Sequence, residues 1–178
     1  LLEYVMNIFL ESKQIYLRAF QQEDISKWFQ WFNNPIITES LNKGIFPNYE
    51  EKQEQIYQKI IKHDNELQLA IILKENNSLV GSVGIHNIRW VHRHGDVSIV
   101  IGEKESWGKG IGSEALFLII EHAFNKMNLH KLTAGMWASN ISSKKLFEKV
   151  GFKQEGLLKE QRFFQGQYVD EYRFGLLR

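Results

Sequence analysis

Apolar and polar positions alternate from Gln14 to Phe20, with Ile15, Leu17 and Ala19 on one side and Tyr16, Arg18 and Phe20 on the other, which predicts a strand. The period then changes. Ile25, Trp28, Phe29 and Phe32 recur at helical spacing behind Gln22-Glu23-Asp24, and Asn33-Asn34-Pro35 stops that helix. Trp28 and Trp31 read as core, with an acceptor pocket as the alternative. Ile36 to Asn48 carry no period and are read as a substrate lid or an ordinary surface connection. Glu50 to Lys62 returns to a helix through Ile56, Tyr57, Ile60 and Ile61. Leu67 to Leu73 and Leu79 to Asn87 are apolar strands joined by the polar turn Lys74 to Ser78. Gly81 and Gly84 inside the second strand point to a bulge or a close backbone approach, and His86, Arg89, Trp90, His92, Arg93 and His94 read as a short basic and aromatic loop.

The next stretch organises the chain. Val97, Ile99, Val100 and Ile101 have the β-branched bias of a buried strand that completes a meander with the two before it. Glycines break the pattern, and Ala115, Leu116, Leu118, Ile119, Ile120, Ala123 and Phe124 then follow a helical period whose wetter side carries Glu114, Glu121 and His122. Lys131 to Trp137 is another strand, and Asn140 to Lys149 a helix for which Ser139 and Asn140 are candidate caps. Phe152 to Leu158 and Tyr168 to Leu177 form a final antiparallel pair turning at Gln165-Gly166. The mixture is α+β, and no linker or repeat divides residues 1–178, so one domain is expected.

Composition narrows the function. A net charge of +1 with both signs interspersed gives no case for nucleic acid or a membrane surface as partner. The absence of cysteine excludes disulfides, thiol nucleophiles and thiolate metal sites, no apolar run reaches the length of a membrane span, and a cytoplasmic protein is the simplest reading. Leu1 to Val5 precede Met6 without a basic segment or cleavage signal and read as an upstream remnant.

Gly108, Gly110 and Gly112 stand at the entrance of the central helix, where free N–H groups and the helix dipole can hold an anion that Lys109 would approach as a mobile charge. The spacing is neither a Walker A loop nor the Gly-x-Gly-x-x-Gly of a dinucleotide fold. Trp107-Gly108-Lys109-Gly110-Ile111-Gly112 resembles the acetyl-CoA pyrophosphate loop of the GNAT superfamily of N-acetyltransferases, Gln/Arg-x-x-Gly-x-Gly/Ala, with Trp107 in the first position. That replacement is associated with the branch resembling ribosomal-protein-alanine and amino-sugar N-acetyltransferases. The string Asn140 to Phe152 resembles the family's Asn-x-x-Ala/Ser-x-x-x-Tyr/Phe-Glu-Lys-x-Gly-Phe. Leu17-Arg18-Ala19-Phe20, Trp31 to Pro35 and Gly166 to Asp170 extend the likeness over residues 7–178. It implies a GNAT-like fold: a twisted, mostly antiparallel sheet of about seven strands with one splayed parallel pair, flanked by about four helices.

The resemblance also implies a chemistry: direct transfer of acetyl from acetyl-CoA to a primary amine. Ile99, Val100 and Ile101 would meet the pantetheine arm, Trp107 to Ser113 (Gly108, Lys109, Gly110, Ile111, Gly112 between them) the pyrophosphate, and Asn140 the arm again unless it is only a helix cap, with Ser143 and Phe147 as further cofactor contacts. Asp96 is the first candidate for the base and Glu103 a weaker one; pairing with Arg93 is the alternative for Asp96. Phe147 stands where many relatives carry a tyrosine acid, which leaves Ser143 or water for that role. No metal set has ligand spacing. The acceptor could be an amino-sugar nucleotide, a protein N-terminus or another small amine, and the lack of an acidic patch weighs against a polyamine. The competing classes are a non-catalytic acyl-CoA-binding or regulatory domain and a nucleotide-binding domain. The aromatic final hairpin, with Phe163, Phe164, Tyr168 and Tyr172, reads either as the edge of a homodimer or as core cover.

Overall fold

The computed structural model describes residues 7–39, 41, 43–62 and 64–178. Leu1 to Val5, read above as an upstream remnant, lie outside them. Eight strands form one sheet: β1 Leu10–Glu11, β2 Ile15–Ala19, β3 Leu67–Leu73, β4 Leu79–Arg89, β5 His94–Ile101, β6 Lys131–Trp137, β7 Lys153–Phe164 and β8 Gln167–Leu177, in the order β1-β2-β3-β4-β5-β6-β8-β7. Only β5 and β6 run parallel; the other neighbours are antiparallel. The helices are α1 Ile25–Phe32, α2 Pro35–Thr38, α3 Glu50–Ile60, α4 Ile111–Asn125 and α5 Ile141–Lys149. The short β1 and α2 are the elements that the periodicity does not announce, since neither is long enough to show a period.

Each face of the sheet has its own core. Ile15, Leu17, Ile71, Val83, Ile85 and Leu132 are buried against Ala115, Leu116, Ile119 and Ala123 of α4, with Phe147 of α5 joining them. On the other face Tyr16, Ala70 and Ile72 meet Trp28 and Trp31 of α1 and Ile37 of α2, with Ile56, Tyr57 and Ile60 of α3 beside them. Trp28 and Trp31 are therefore core, at 2% and 4% exposure. Each fully buried large apolar side chain contributes about 1.5–3 kcal/mol, so the alternation in β2 and the helical stripes of α1 and α4 are what close these layers.

The β4–β5 connection corrects one expectation. The stretch His86 to His94 is mostly strand, and only Trp90 to Arg93 lie between β4 and β5. Asn87 adopts a left-handed φ of 49° and the register shifts between His86 and Arg89, so the bulge absorbs polar residues while Arg89 still pairs with His94. The expected close approaches are present: a Cβ on Gly81 would overlap the Val100 carbonyl, and one on Gly84 would stand 2.7 Å from the Leu67 carbonyl.

One constraint sets the site. β4 accompanies β5 from His94 to Ile101, and β8 accompanies β6 from Lys131 to Trp137, but β5 and β6 pair only at His94↔Lys131, Gly95↔Leu132 and Asp96↔Thr133. Beyond those pairs the two strands part. The Gly102 N–H donates to the Val80 carbonyl on the β4 side, and the Arg93 carbonyl accepts from His130 and Lys131 on the β6 side. Backbone polar groups alternate edges along a strand, so Ile99 and Ile101 turn theirs toward the gap.

The end of β5 is pinned to α1. Trp31 packs directly over Gly102, where an added Cβ would fall inside the indole, and its Nε1 donates to Glu103 Oε1 at 3.1 Å while Lys27 Nζ lies 2.6 Å from the same oxygen. Burial would raise the Glu103 pKa, but the bonds from Lys27 and Trp31 outweigh it and lower it. Glu103 is thus occupied as an anchor. Gly102→Ala should cost about 1–3 kcal/mol through overpacking, read as an earlier midpoint in urea unfolding followed by tryptophan fluorescence.

Candidate functional site

The glycines divide their work. Gly110 is the N-cap of α4 at φ 83°, no side chain caps that helix, and a Cβ there would find only Gln14 Nε2 at 3.9 Å. Gly108, at φ 72°, has open space around it. Gly112 answers to packing instead, because a Cβ would meet Leu146 Cδ2 of α5 at 3.2 Å. Glu114, the acid of the first turn, is turned away: it accepts from Ser12 Oγ at 2.5 Å and from Gln14 N and Nε2 at 3.0 and 2.6 Å. Burial pushes its pKa up, but those bonds outweigh it and lower it. The α4 entrance keeps its positive dipole end, and the carboxylate of its own first turn is engaged elsewhere.

This entrance opens into a cavity of about 650 Å³ along the open edge of β5, between that strand and α5. Ile99, Val100 and Ile101 line it from β5; Trp107, Gly108, Gly110, Ile111, Gly112 and Ser113 from the loop and α4; Asn140 and Ser143 from α5. Trp107 Nε1 donates to the Ile101 carbonyl at 2.9 Å, which satisfies one group of the open edge. Asn140 Oδ1 caps α5 by accepting from Ser143 N at 3.0 Å, and its Nδ2 and the Ser143 hydroxyl have no partner among the described residues.

Two expected residues lie elsewhere. Phe147 is 3% exposed and packs edge-on against Phe152, 5.1 Å between centroids, so it belongs to the core below the cavity and does not line it. Lys109 is exposed and absent from the lining. The cations that do line the cavity are Lys145 and Lys149, one turn apart on α5, with no ion-pair partner among the described residues. Their i, i+4 spacing was a signal in the sequence, hidden in a helix whose other lysine, Lys144, faces Glu148 and Tyr172.

On the α3 face, beside the point where β5 and β6 part, polar side chains gather. Asp96 accepts from Asn87 Nδ2 at 3.0 Å and from the Thr133 hydroxyl. Burial raises its pKa, yet the bonds from Thr133 and Asn87, helped by His94 and Arg89, outweigh that and hold it below the usual carboxylate range. Arg93, its alternative partner, donates instead to Asn128. Next to Asp96, His86 Nε2 lies 2.7 Å from Ser98 Oγ, and its Nδ1 lies 4.0 Å from Glu66. Burial lowers the His86 pKa, against the opposing pull of Glu66 and Asp96 and with the help of Lys59. No three His, Asp or Glu residues come together as a metal group among the described residues.

A second cavity of about 520 Å³ adjoins the first. Ile36, Glu39 and Leu41 line both; Trp137 of β6 and Phe163 and Phe164 of the β7–β8 hairpin close the second. The stretch after α1 and the aromatic hairpin tip therefore face each other across the open end of the strands.

Comparison with known proteins agrees with this geometry. The family described as an acetyltransferase (GNAT) domain matches residues 14–153. A spermidine N(1)-acetyltransferase of Vibrio cholerae is 29% identical over 94% of this chain and 95% of its own. An N-acetyltransferase p20 of Bacillus licheniformis is 28% identical over 95% of this chain and 96% of its own. The crystal structure of a spermidine N-acetyltransferase from Vibrio cholerae in complex with CoA and spermine superposes with a TM-score of 0.86, at 27% identity, over 93% of this chain and 96% of that one.

The Asp96 carboxylate makes a checkable contribution to stability. Its folded pKa lies below its unfolded one, so the stabilisation is present above the ordinary carboxylate range and is lost as pH falls through the folded value. The stability gap between the wild type and Asp96→Asn should be widest near neutral pH and shrink below about pH 4, read by urea unfolding at a series of pH values.

Proposed function

Because the chain belongs to the GNAT acetyltransferase family, and so is an acetyl-CoA-dependent N-acetyltransferase acting on an amine, we propose that it transfers the acetyl group directly, in a complex that holds both substrates together and with no acyl group parked on the protein. The observation that carries this reading is the meeting of an uncapped helix entrance with an unpaired strand edge in a single cavity. A phosphate and an amide-bearing arm are the two chemistries that such a pair of features accepts. When bound, acetyl-CoA supplies a thioester carbonyl open to an amine and a thiolate that can leave.

The chain's own residues do the rest. The amides at the start of α4 hold phosphate oxygens, with Lys145 and Lys149 adding charge from α5. The open groups of Ile99 and Ile101 align the arm as a further strand edge would, and an N–H of that edge is placed to polarise a carbonyl. Asn140 Nδ2 donates to the arm. Ser143, in the lining with a free hydroxyl, is the candidate proton donor to the leaving group, since Phe147 has no proton to give.

Two groups compete to take the amine's proton. Asp96 stands at the last β5–β6 pair but lines neither cavity, and its lowered pKa makes it a weak base. Burial lowers the His86 pKa and favours its neutral form, so its protonation suits a base better than that of Asp96, although it too lines neither cavity. The relatives' spermidine makes a polyamine one acceptor to test, beside amino-sugar nucleotides and protein N-termini.

The decisive experiment mixes the protein with acetyl-CoA and an amine panel and follows free thiol; turnover with at least one amine is the expected result, and CoA binding with no turnover on any would favour the regulatory-domain alternative. Gly110→Leu should weaken CoA binding by at least about tenfold in calorimetry, by straining a left-handed position and blocking the approach to the amides. The pH profile separates the bases. With His86 as base, kcat falls on the acidic side at a pH below the ordinary histidine value of about 6.5, and His86→Gln loses that limb with about a hundredfold in kcat. A limb that persists in His86→Gln and disappears in Asp96→Asn would assign the role to Asp96.

A further inference from the structure

The cavity beside the cofactor slot carries a single carboxylate. Glu39 is the one acidic side chain among the described residues lining either cavity, and it lines both. An ammonium held there stands at the junction, where the slot and the second cavity share Ile36 and Leu41. Beyond the junction the walls are mostly apolar, with Thr38, Lys43 and Gln165 as their polar members. Ile45 stands on one side and Trp137, Phe163 and Phe164 on the other. Trp137 and Phe164 pack together at 4.7 Å between centroids, and Phe163 is set edge-on to Tyr168 at 5.3 Å, so the rings form a braced aromatic surface.

We propose that the acceptor is a small primary amine bearing one positive charge on an apolar ring-sized body, an arylalkylamine, in preference to a polyamine; this rests on the acetyl-transfer reading of the adjoining slot. The volume of about 520 Å³ is that of a small-molecule site, with the charge at one end and rings at the other. A polyamine anchored at Glu39 would have to place its second and third ammonium groups against these rings with no second carboxylate to meet them. It would also face Lys43, the cation in the same lining, whose ammonium lies 5.4 Å over the Phe32 ring.

The test measures kcat/KM at saturating acetyl-CoA for 2-phenylethylamine, tryptamine, spermidine and spermine. The arylalkylamines should exceed both polyamines by at least about tenfold. Phe163→Ala, at a ring that is 66% exposed and so tolerant of truncation, should raise KM for 2-phenylethylamine with little change in kcat and leave spermidine untouched. Lys43→Glu, which adds the missing carboxylate, should narrow the gap by improving spermidine. Turnover led by spermidine or spermine, or a Phe163→Ala effect equal on all amines, overturns this inference and leaves acetyl transfer standing. CoA binding without turnover on any amine overturns both.

Discussion

A β-strand edge left open inside a protein has to be answered by something, because each unpaired N–H and C=O removed from water costs about as much as a lost hydrogen bond. Here the opening is imposed from outside. β5 is committed to β4 along its whole length and β6 to β8 along its own, so after Asp96↔Thr133 neither strand can swing across to close the gap. Trp107 answers one carbonyl from the side. On the reading proposed above, the remainder of the edge would serve as a template for an extended, amide-bearing ligand, and the commitments of β5 and β6 to their other neighbours keep it open.

The second half of the slot follows from the first. α4 starts where β5 ends, so its dipole points at the mouth of the same gap, and the side chains that usually crowd such a start are missing or diverted: glycine at Gly110, and Glu114 tied back to the β1–β2 turn through Ser12 and Gln14. Charge arrives from across the slot on α5 instead of from the loop itself. Anchoring thus divides among three elements that meet only in the folded chain.

Much of this could be read from the residues. The strand and helix periods placed β2, β3, β6, α1 and α4 to within a residue or two, since each has a full apolar face to show. The glycine turn was legible because removing side chains at a helix entrance has few other uses. The basic segment after His86 was misread because its polar residues hide a bulged pair whose register is set by β4 and β5 together. The i, i+4 spacing of Lys145 and Lys149 was visible but its direction was not, since the face a helix presents depends on how it packs. Phe147 fits its motif in sequence, yet its ring turns to Phe152 and the core, a choice made by packing with no trace in spacing. Glu39 had no local signal, because its importance comes from two cavities meeting beside it.

The contact of Trp31 with Gly102 has a further bearing on how such chains diversify. It ties α1, whose C-terminal end leads into the wall shared by the two cavities, to the residue that follows β5, with Glu103 and Lys27 as a second fastening. The segment after α1 can then vary in length and chemistry while its point of departure stays registered against the reacting end of the slot. On the proposed reading, changes at Ile36, Glu39 or Ile45 would recast the cavity wall without re-aiming the strand beneath, provided that indole and that bare backbone position travel as a pair.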